Sequence, residues 1–502
     1  TYHPLDGSVD EMLAPSGALR DHWGRIGTAL AELGLDELLQ RRREAVKLLD
    51  DDGVTYHVLD ESAPRRWDMD PVPLVVSSDE WAGIERGVVQ RAELRDLLLA
   101  DLYGPRETIR QGVLPPEVVF GHPGFLRACD GIRLPGSQQL FTTAVDIGRD
   151  AEGRPWILSD RTQAPSGAGY ALENRVVVSR VFPSLYREAQ VHRLAPFFRS
   201  LRSSLQGIAP PGVDNPRIVV LTPGPWSETA FEHAFLASYL GYPLVQGEDL
   251  TVRDGRVWMH SLGRLEPVHV ILRRVDDWFC DPLELRPDSQ LGCPGLVEAA
   301  RLGHVSIVNT LGSGVLESPA LLPFLDALSR HFLGQDLRLP SVPTWWCGTE
   351  AHLDHVVANL SELVLKPVAR EAGRTTIFGW QLTAEQRDDL RARIRSHPMA
   401  WVGQQPLPLA TVPTLTDSGI EARRYVLRAF AVARRDSYAV LPGGLTRVAG
   451  SESGLLVSNQ AGSLGKDTWV LASEPESVGA FWAKEGPIVD AVEPEASMSP
   501  RA

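Results

Sequence analysis

The spacing of apolar positions divides the chain into stretches of different character. Over residues 15–110, leucines and valines recur at helical spacing, most clearly around residues 30–39 and 81–103. The second of these runs follows the sequence Ser-Ser-Asp-Glu at 77–80, which is typical of a helix start. This first stretch is therefore predicted to be helical.

The middle of the chain changes to strands. Residues 139–147 and 156–158 predict a hairpin with a polar turn at 148–154, and residues 175–206 predict a helix. A Pro/Gly linker at 209–215 precedes strands predicted at 218–222, 243–245, 268–272 and 305–309, which alternate with helices at 228–240 and 295–302. This alternation predicts an open, largely parallel sheet.

A Pro-rich break at 339–343 introduces the last stretch. Strands are predicted at 364–367, 400–404, 424–432, 438–441, 455–458 and 468–471, with a helix at 384–396. A chain of 502 residues is too long for one hydrophobic core, so several packed units are expected. The predicted units are 1–135, 136–210, 211–340, 341–415 and 416–475, followed by a flexible tail at 476–502.

Composition narrows the class of protein. The chain has 50 basic and 64 acidic residues, and this net charge of -14 argues against a nucleic-acid or membrane partner while allowing a local basic pocket. The four cysteines are widely spaced without a CxxC pair, which favours reduced thiols and a cytoplasmic location. Both ends look like cuts, so we expect a fragment of a longer protein. The sequence contains no stretch of about 18 apolar residues, so it predicts no membrane span.

Isolated cations in apolar strands are the first candidates for chemistry. Lys366 lies in a Val-Leu-Lys-Pro strand, where it must reach a phosphate, an internal carboxylate or the surface. Arg428 lies in an apolar run, and Arg447 follows a Pro-Gly-Gly turn; each has a structural ion pair as its alternative. Two arginines near one lysine indicate a polyphosphate. Gln404 ends a strand and offers polar groups suited to an adenine edge, or simply terminates the strand.

Two carboxylates of the predicted hairpin are candidate metal ligands. Asp146 and Asp160 lie on its two strands, and we expect both to face one cleft and hold Mg²⁺. The alternative is that each carboxylate caps a turn. The following segment, 160–175, is too polar and glycine-rich for simple packing and predicts a functional loop that enters a helix.

The predicted parallel sheet supplies further candidates. Glu232 and His233 lie near a helix start, and Arg273 and Arg274 end a strand, where open α/β sheets bind ligands. A single histidine on a helix is more often structural. The common phosphate-binding loops GxxxxGK[ST] and GxGxxG do not occur in the sequence, so neither explains a phosphate site here.

Six segments, in order, resemble the circularly permuted ATP-grasp proteins, which are related to glutathionylspermidine-synthase-like ligases. They lie at 157–175, 231–250, 270–285, 291–314, 363–367 and 440–449. The resemblance implies a mixed α/β class with α+β elements: a circularly permuted ATP-grasp fold with a Rossmann-like central domain and a helical N-terminal segment. It makes 136–210 and 416–475 the halves of the ATP-grasp core, 211–340 the substrate-side domain and 341–415 the lid.

The resemblance also assigns roles to residues. It implies that Lys366 contacts the ATP phosphates, Gln404 lies near adenine, and Arg428 lies near the γ-phosphate. Asp146 and Asp160 resemble the magnesium ligands, and they precede the lid lysine, which is the permuted order. Further residues expected to line the site are Ser166, Gly167, Glu173, Asn174, Arg175, Arg374 and Arg447.

Two departures from the family pattern stand out. Ser159 and Arg161 occupy positions where related members carry Glu and Asn, so one metal carboxylate and one amide ligand are replaced. Gln163 is a possible substitute as a neutral oxygen ligand. The expected glycine-rich flap after the lid lysine is thin, and Arg374 is expected to compensate electrostatically.

The resemblance predicts an ATP-dependent carboxylate–amine ligase that acts through an acyl phosphate, with ATP and Mg²⁺ as cofactors. Its substrates are predicted to be a small-molecule or peptide carboxylate and an amine, with an alpha-E helical domain as partner in cis or in trans. Two alternatives are an ATP-binding scaffold with weak or no turnover and an ATP-dependent phosphotransferase. Residues expected to hold the substrate carboxylate or move the amine proton are Glu232, His233, Arg273 and Arg274.

Overall fold

The computed structural model describes residues 2–58, 61, 63–369, 376–451, 454, 457 and 462–473. The α-helices, numbered in chain order, are α1 Gly24–Asp51, α2 Ser78–Leu102, α3 Glu107–Arg110, α4 Pro116–Phe120, α5 Ala168–Val181, α6 Pro183–Glu188, α7 Ala195–Gly207, α8 Ala230–Leu240, α9 Leu296–Arg301, α10 Leu325–Leu333, α11 Glu350–Ala358 and α12 Ala384–Ser396. The strands are β1 Thr55–Tyr56, β2 Arg65–Arg66, β3 Met69–Val76, β4 Thr142–Arg149, β5 Pro155–Arg161, β6 Ile218–Leu221, β7 Leu244–Val245, β8 Leu250–Arg253, β9 Arg256–Ser261, β10 Arg264–Val268, β11 Val270–Arg273, β12 Ser306–Val308, β13 Thr344–Trp346, β14 Val364–Pro367, β15 Ile377–Phe378, β16 Trp401–Gln404, β17 Thr411–Thr416, β18 Gly419–Arg434, β19 Ser437–Val440, β20 Leu445–Val448 and β21 Leu464–Val470.

The largest sheet combines an early and a late part of the chain. Its order is β3-β21-β20-β18-β4-β5, and β17 and β19 also pair with β18. The hairpin β4–β5 thus lies beside β18, which follows it by more than two hundred residues. Helices α1, α5 and α7 pack on this sheet, and their apolar side chains join its inner face in one core. The sheet therefore brings together side chains that are distant in sequence.

The first stretch of the chain contains a strand that the apolar spacing did not predict. Helices α1 and α2 form as expected, but β3 lies between them and is buried along its whole length. Pro71 and Pro73 argue against a strand, since proline has no N–H to donate. Strand β3 is an edge strand of the largest sheet and pairs with β21. Prolines are tolerated at an edge because one side of the strand has no partner to which an N–H must donate.

The helix predicted at 175–206 is three helices, α5, α6 and α7. Pro183 begins α6 and Pro196 lies in the first turn of α7. Proline is favoured at these positions because the first helical N–H groups have no partner within the helix. The apolar periodicity continues through both breaks, so it could not show them.

The central parallel sheet is confirmed. Its order is β12-β11-β6-β7, and each neighbouring pair is parallel. The antiparallel sheet β10-β9-β8, which was not predicted, lies between β7 and β11 in the chain. Asn309 follows β12, and its side-chain amide donates to the carbonyl oxygens of Thr142 (2.7 Å) and Thr162 (2.6 Å). These bonds fix the carboxyl end of the parallel sheet against the hairpin β4–β5.

A third sheet carries the lysine singled out from the sequence. Its order is β13-β16-β14-β15, with antiparallel pairing throughout. Its apolar face packs with α11 and α12 in a separate core. The four cysteines are all free and buried, as the sequence predicted. Over the described residues, none of the helices is apolar enough over a sufficient length to cross a membrane.

Candidate functional site

Asp146 lies at the centre of a cluster of cations on the largest sheet. The residue is 4% exposed, and Arg428 lies directly opposite it on β18. Arg428 donates from Nε to Oδ1 (2.8 Å) and from Nη2 to Oδ2 (3.0 Å) of Asp146. Arg447 on β20 donates from Nη2 to Oδ1 (2.9 Å). Two arginines predicted to contact phosphate thus converge on one carboxylate.

The neighbouring strand β5 adds two more donors to Asp146. Ser159 lies opposite Asp146 in the strand register, and its Oγ donates to Oδ2 (2.8 Å). Arg161 lies two residues further on the same face of the strand and donates from Nη2 to Oδ2 (3.2 Å). The two positions that depart from the family pattern therefore both contact the carboxylate expected to hold a metal.

The charges of this cluster do not balance. Burial alone would raise the pKa of Asp146, but Arg428, Arg447 and Arg161 outweigh burial and hold its pKa well below the usual range. Burial and the neighbouring Arg428 lower the pKa of Arg447 to about 10. Three guanidinium groups around one carboxylate leave an excess of positive charge, which suits an anionic ligand.

Lys366 and Gln404 lie together on the third sheet. Lys366 Nζ donates to Gln404 Oε1 (2.5 Å), and Gln404 Nε2 donates to Thr344 Oγ1 (3.1 Å). Burial lowers the pKa of Lys366 to about 8; nearby Arg161 also lowers it and Asp146 raises it. Because the charges of Arg161 and Asp146 act on Lys366, this lysine belongs to the same electrostatic site as the Asp146 cluster.

The expectation that Asp146 and Asp160 face one cleft is wrong. Asp160 lies opposite Val145 in the register, so its side chain projects from the other face of the hairpin. There it accepts from Arg91 Nε (2.6 Å) and Nη2 (2.8 Å), and from Arg95. Both arginines are buried on α2. Asp160 therefore ties the hairpin to this helix.

Gln163 has hydrogen-bond partners of its own. Its Nε2 donates to Asp277 Oδ1 (2.6 Å), and its backbone N–H donates to Glu317 Oε1 (2.8 Å). Across the described ranges, no group of three or more His, Cys, Asp or Glu side chains could hold a metal ion. The proposed magnesium ligands Asp146, Asp160 and Gln163 thus have separate partners, and these residues do not fit the expected magnesium site.

Glu232 holds the loop that leads into α5 by hydrogen bonds. Its Oε1 accepts from the backbone N–H groups of Gly167 (2.7 Å) and Gly169 (2.9 Å), and Arg274 Nη2 lies 3.4 Å from its Oε2. Arg428 in turn donates from Nη1 to the carbonyl oxygen of Ser166 (3.0 Å). A buried carboxylate at the start of a helix stabilises its unpaired N–H groups. Glu232 therefore positions the loop beside the cluster. The sequence had predicted instead that it holds the substrate carboxylate or moves the amine proton.

His233 also has a structural environment. Its Nδ1 lies 2.9 Å from Thr222 Oγ1 and its Nε2 lies 3.0 Å from Thr229 Oγ1, so both ring nitrogens have hydroxyl partners. Burial, and then the charge of Arg274, hold the pKa of His233 well below its usual range. A neutral, doubly hydrogen-bonded imidazole has no free nitrogen with which to move an amine proton.

Four more predicted site residues bond mainly within the fold. Arg273 donates to the carbonyl oxygens of Asn309 (2.7 Å) and Val275 (3.1 Å), closing the end of the parallel sheet. Asn174 accepts from Trp67 Nε1 (2.9 Å), Arg175 pairs with Asp467 (2.7 Å), and burial beside Asp52 raises the pKa of Glu173 to about 7. Arg374 lies outside the described residues.

Unpartnered N–H groups show what the cation cluster could bind. Within the described part of the chain, Arg161 Nη1, Arg447 Nε and Arg274 Nε are buried without a hydrogen-bond partner. A buried charged donor without a partner costs free energy, and phosphate oxygens are the acceptors that guanidinium groups match best. The arrangement therefore fits a polyphosphate. Arg161 was noted in the sequence only as a departure; its contact with Asp146 follows from the strand register.

A family model for circularly permuted ATP-grasp type 2 matches residues 73–449. A glutathione synthetase-like effector from Globodera pallida, solved in the apo form, aligns with a TM-score of 0.50 at 13% identity and covers 87% of this chain and 98% of that one. At this identity the likeness concerns the fold alone, and it supports the fold class predicted from the sequence.

Two relatives with higher identity are described as uncharacterized proteins. One from Mycobacterium tuberculosis (strain H37Rv) is 42% identical over 475 residues, which are 93% of this chain and 53% of that protein. One from Synechocystis sp. is 35% identical over 464 residues, 92% of this chain and 96% of that protein. The chain thus spans about half the length of the mycobacterial relative.

Proposed function

Because the chain belongs to the circularly permuted ATP-grasp type 2 family, we propose that the cluster around Asp146 binds the polyphosphate of ATP. The observation that carries this proposal is the set of buried guanidinium N–H groups without partners on Arg161, Arg447 and Arg274. Family membership and fold support the general class of ATP-dependent ligases.

The roles of individual residues follow from their positions. Arg161 and Arg447 would donate to phosphate oxygens with N–H groups that the described residues leave unused. Lys366, which donates to Gln404 in this structure, would approach the phosphates from the third sheet. Gln404 would place the base on the lid side of the cleft. Arg428 would fix Asp146 and the Ser166 carbonyl, and so hold the loop before α5 in place.

The first candidate activity is a carboxylate–amine ligase. In that reaction the γ-phosphoryl group of ATP would pass to a substrate carboxylate with release of ADP. An amine would then displace phosphate from the activated acyl group to form an amide. Here Lys366 and Arg161 would orient the phosphates and stabilise negative charge as it develops. The nearby Glu232 and His233 are hydrogen-bonded within the fold. The groups that bind the substrate carboxylate and move the amine proton must therefore come from elsewhere in the site or from a partner domain.

The second candidate is an ATP-binding scaffold with weak or no turnover that serves a helical partner such as an alpha-E domain. A specific observation favours it: both oxygens of Asp146 already accept from arginine or serine donors, and Asp160 lies on the opposite face. The expected carboxylates are thus unavailable for phosphoryl-transfer chemistry. The greater length of the mycobacterial relative leaves room for such a partner in cis.

Calorimetry combined with product analysis tests these functions. The protein is titrated with ATP, and ADP and phosphate are then assayed with candidate carboxylates and amines, with and without the second half of the mycobacterial relative. Binding with product formation supports the ligase, and binding without turnover in any mixture supports the scaffold. If ATP does not bind, or if it binds Lys366→Ala as tightly as wild type, the cluster is not the proposed nucleotide site.

A further inference from the structure

The Asp146 carboxylate has no capacity left for another electron-pair acceptor. Its Oδ1 accepts from Arg428 and Arg447, and its Oδ2 accepts from Arg428, Ser159 and Arg161. Each carboxylate oxygen offers about two lone-pair positions. A divalent cation could coordinate Asp146 only after displacing guanidinium groups that hold it.

Arg161 lies where it can bridge two carboxylates. Its Nη2 contacts Asp146 Oδ2 at 3.2 Å, and its Nη1 lies 3.9 Å from Glu317 Oε2. The carboxylate of Glu317 is in turn held by the backbone N–H groups of Thr162 (2.7 Å) and Gln163 (2.8 Å). A bound metal ion commonly lies between two anchored carboxylates. Here a guanidinium lies in that position.

We infer that this site binds a nucleoside polyphosphate as the metal-free anion, with the guanidinium of Arg161 in the place of the divalent cation. The inference rests on the proposed ATP-binding function and specifies the form of ATP that is bound.

The electrostatics of the site support this choice. Arg161, Arg428, Arg447 and Lys366 carry four positive charges near two carboxylates, Asp146 and Glu317. An added divalent cation would therefore meet net positive charge at short range. Magnesium bound with a nucleotide is usually held by one or two protein carboxylates besides phosphate oxygens and water, and the committed oxygens of Asp146 do not provide such a ligand. Chelation by magnesium removes negative charge from ATP and weakens its attraction to these cations. Metal-free ATP is therefore the better match.

The decisive measurement is the dissociation constant of ATP in EDTA and in excess Mg²⁺, with the wild-type chain. We expect ATP to bind in EDTA as tightly as in Mg²⁺, or up to about tenfold more tightly. Inorganic tripolyphosphate in EDTA should compete with it. Binding that requires Mg²⁺, or is about tenfold tighter with it, overturns the inference but leaves ATP binding intact. Absence of binding under both conditions overturns the proposed function, and the inference with it.

A pair of variants tests the role of Arg161. Ser159→Glu combined with Arg161→Asn adds a carboxylate and removes the bridging cation, so ATP binding should become dependent on Mg²⁺. Arg161→Lys keeps a positive charge and should keep binding in EDTA. Arg330→Asn, at an exposed ion pair, is the matched control. If the double variant folds by circular dichroism and still binds ATP in EDTA as wild type does, Arg161 does not replace the metal. If it does not fold, the wild-type titrations decide.

Discussion

Asp146 and Asp160 lie on paired strands of one hairpin and point to opposite faces of the sheet. The register places Ser159, not Asp160, opposite Asp146, and a bulge follows between Asp146 and Ile147. Asp146 contacts Arg428 of the cation cluster, whereas Asp160 contacts Arg91 and Arg95 on α2. One carboxylate is thus part of the cation cluster, and the other holds the sheet to a helix.

We expect Asp160→Asn to destabilise the fold. The substitution leaves two buried arginines without their counter-charge, and breaking a buried ion pair in this way costs about 3–5 kcal/mol. Urea denaturation measures this loss. Asp336→Asn, in an exposed pair with Arg330, is the control and should change the free energy of unfolding by less than about 1 kcal/mol. Unchanged stability of Asp160→Asn, together with weaker nucleotide binding, would instead return Asp160 to the ligand site.

Lys366→Ala should weaken ATP binding. A charge-assisted hydrogen bond contributes about 1.5–3 kcal/mol, which corresponds to a roughly 10- to 100-fold rise in the dissociation constant. Titration calorimetry measures this change. Lys47→Ala, at an exposed position on α1, controls for the loss of one positive charge. Equal affinities of the two variants would show that Lys366 does not contact the nucleotide.

The affinity for ATP should fall as the pH rises through about 8. The pKa of Lys366 is lowered to about 8 in the free protein, so the lysine is charged below this pH and must take up a proton to bind phosphate above it. The expected loss approaches about tenfold per pH unit above the pKa. Titrations between about pH 7.5 and about pH 9 measure it.

Lys366→Arg provides the control for this pH dependence. A guanidinium stays charged over the whole range, so the pH dependence should disappear while binding persists. If the same slope remains in Lys366→Arg, another group causes it.

Gly167→Ala should destabilise the protein and weaken nucleotide binding. Gly167 has a φ of 119°, and an added Cβ would lie 2.9 Å from Leu445 Cδ2 and 3.0 Å from Phe430 Cζ. The left-handed backbone and the overpacking together cost about 2–4 kcal/mol. Gly212→Ala, with a φ of 83° and open space around it, should cost about 1 kcal/mol. Similar losses in both variants would show that the close packing at Gly167 has no effect of its own.

The sequence predicted much of the secondary structure because apolar periodicity is a local property. The parallel order of β6, β7, β11 and β12 and the helices α2 and α12 formed as expected. Strand β3 was missed because its prolines are acceptable only at the edge of a sheet, and edge position is not visible locally. The loop at 160–175 was found from its composition, although most of its contacts serve the fold.

The two lysines in apolar strands show why the candidate site was harder to predict. Lys366 donates to the side-chain oxygen of Gln404, whereas Lys466, in the buried strand β21, pairs with the buried carboxylate of Asp70. The local sequences leave phosphate, carboxylate and surface open for both. Only the neighbouring strands decide, and they come from distant parts of the chain.

The sequence by itself determined the family, the main helices and strands, and the set of cations available to a phosphate site. The tertiary structure decided which of these charges meet. Arg428 reaches Asp146 across 282 residues of sequence, through the pairing of β18 with β4. The alternation of side chains on a strand is fixed locally, but the face that meets a ligand depends on register, which long-range packing sets. For that reason the sequence predicted a magnesium site, and the structure shows arginines on its central carboxylate.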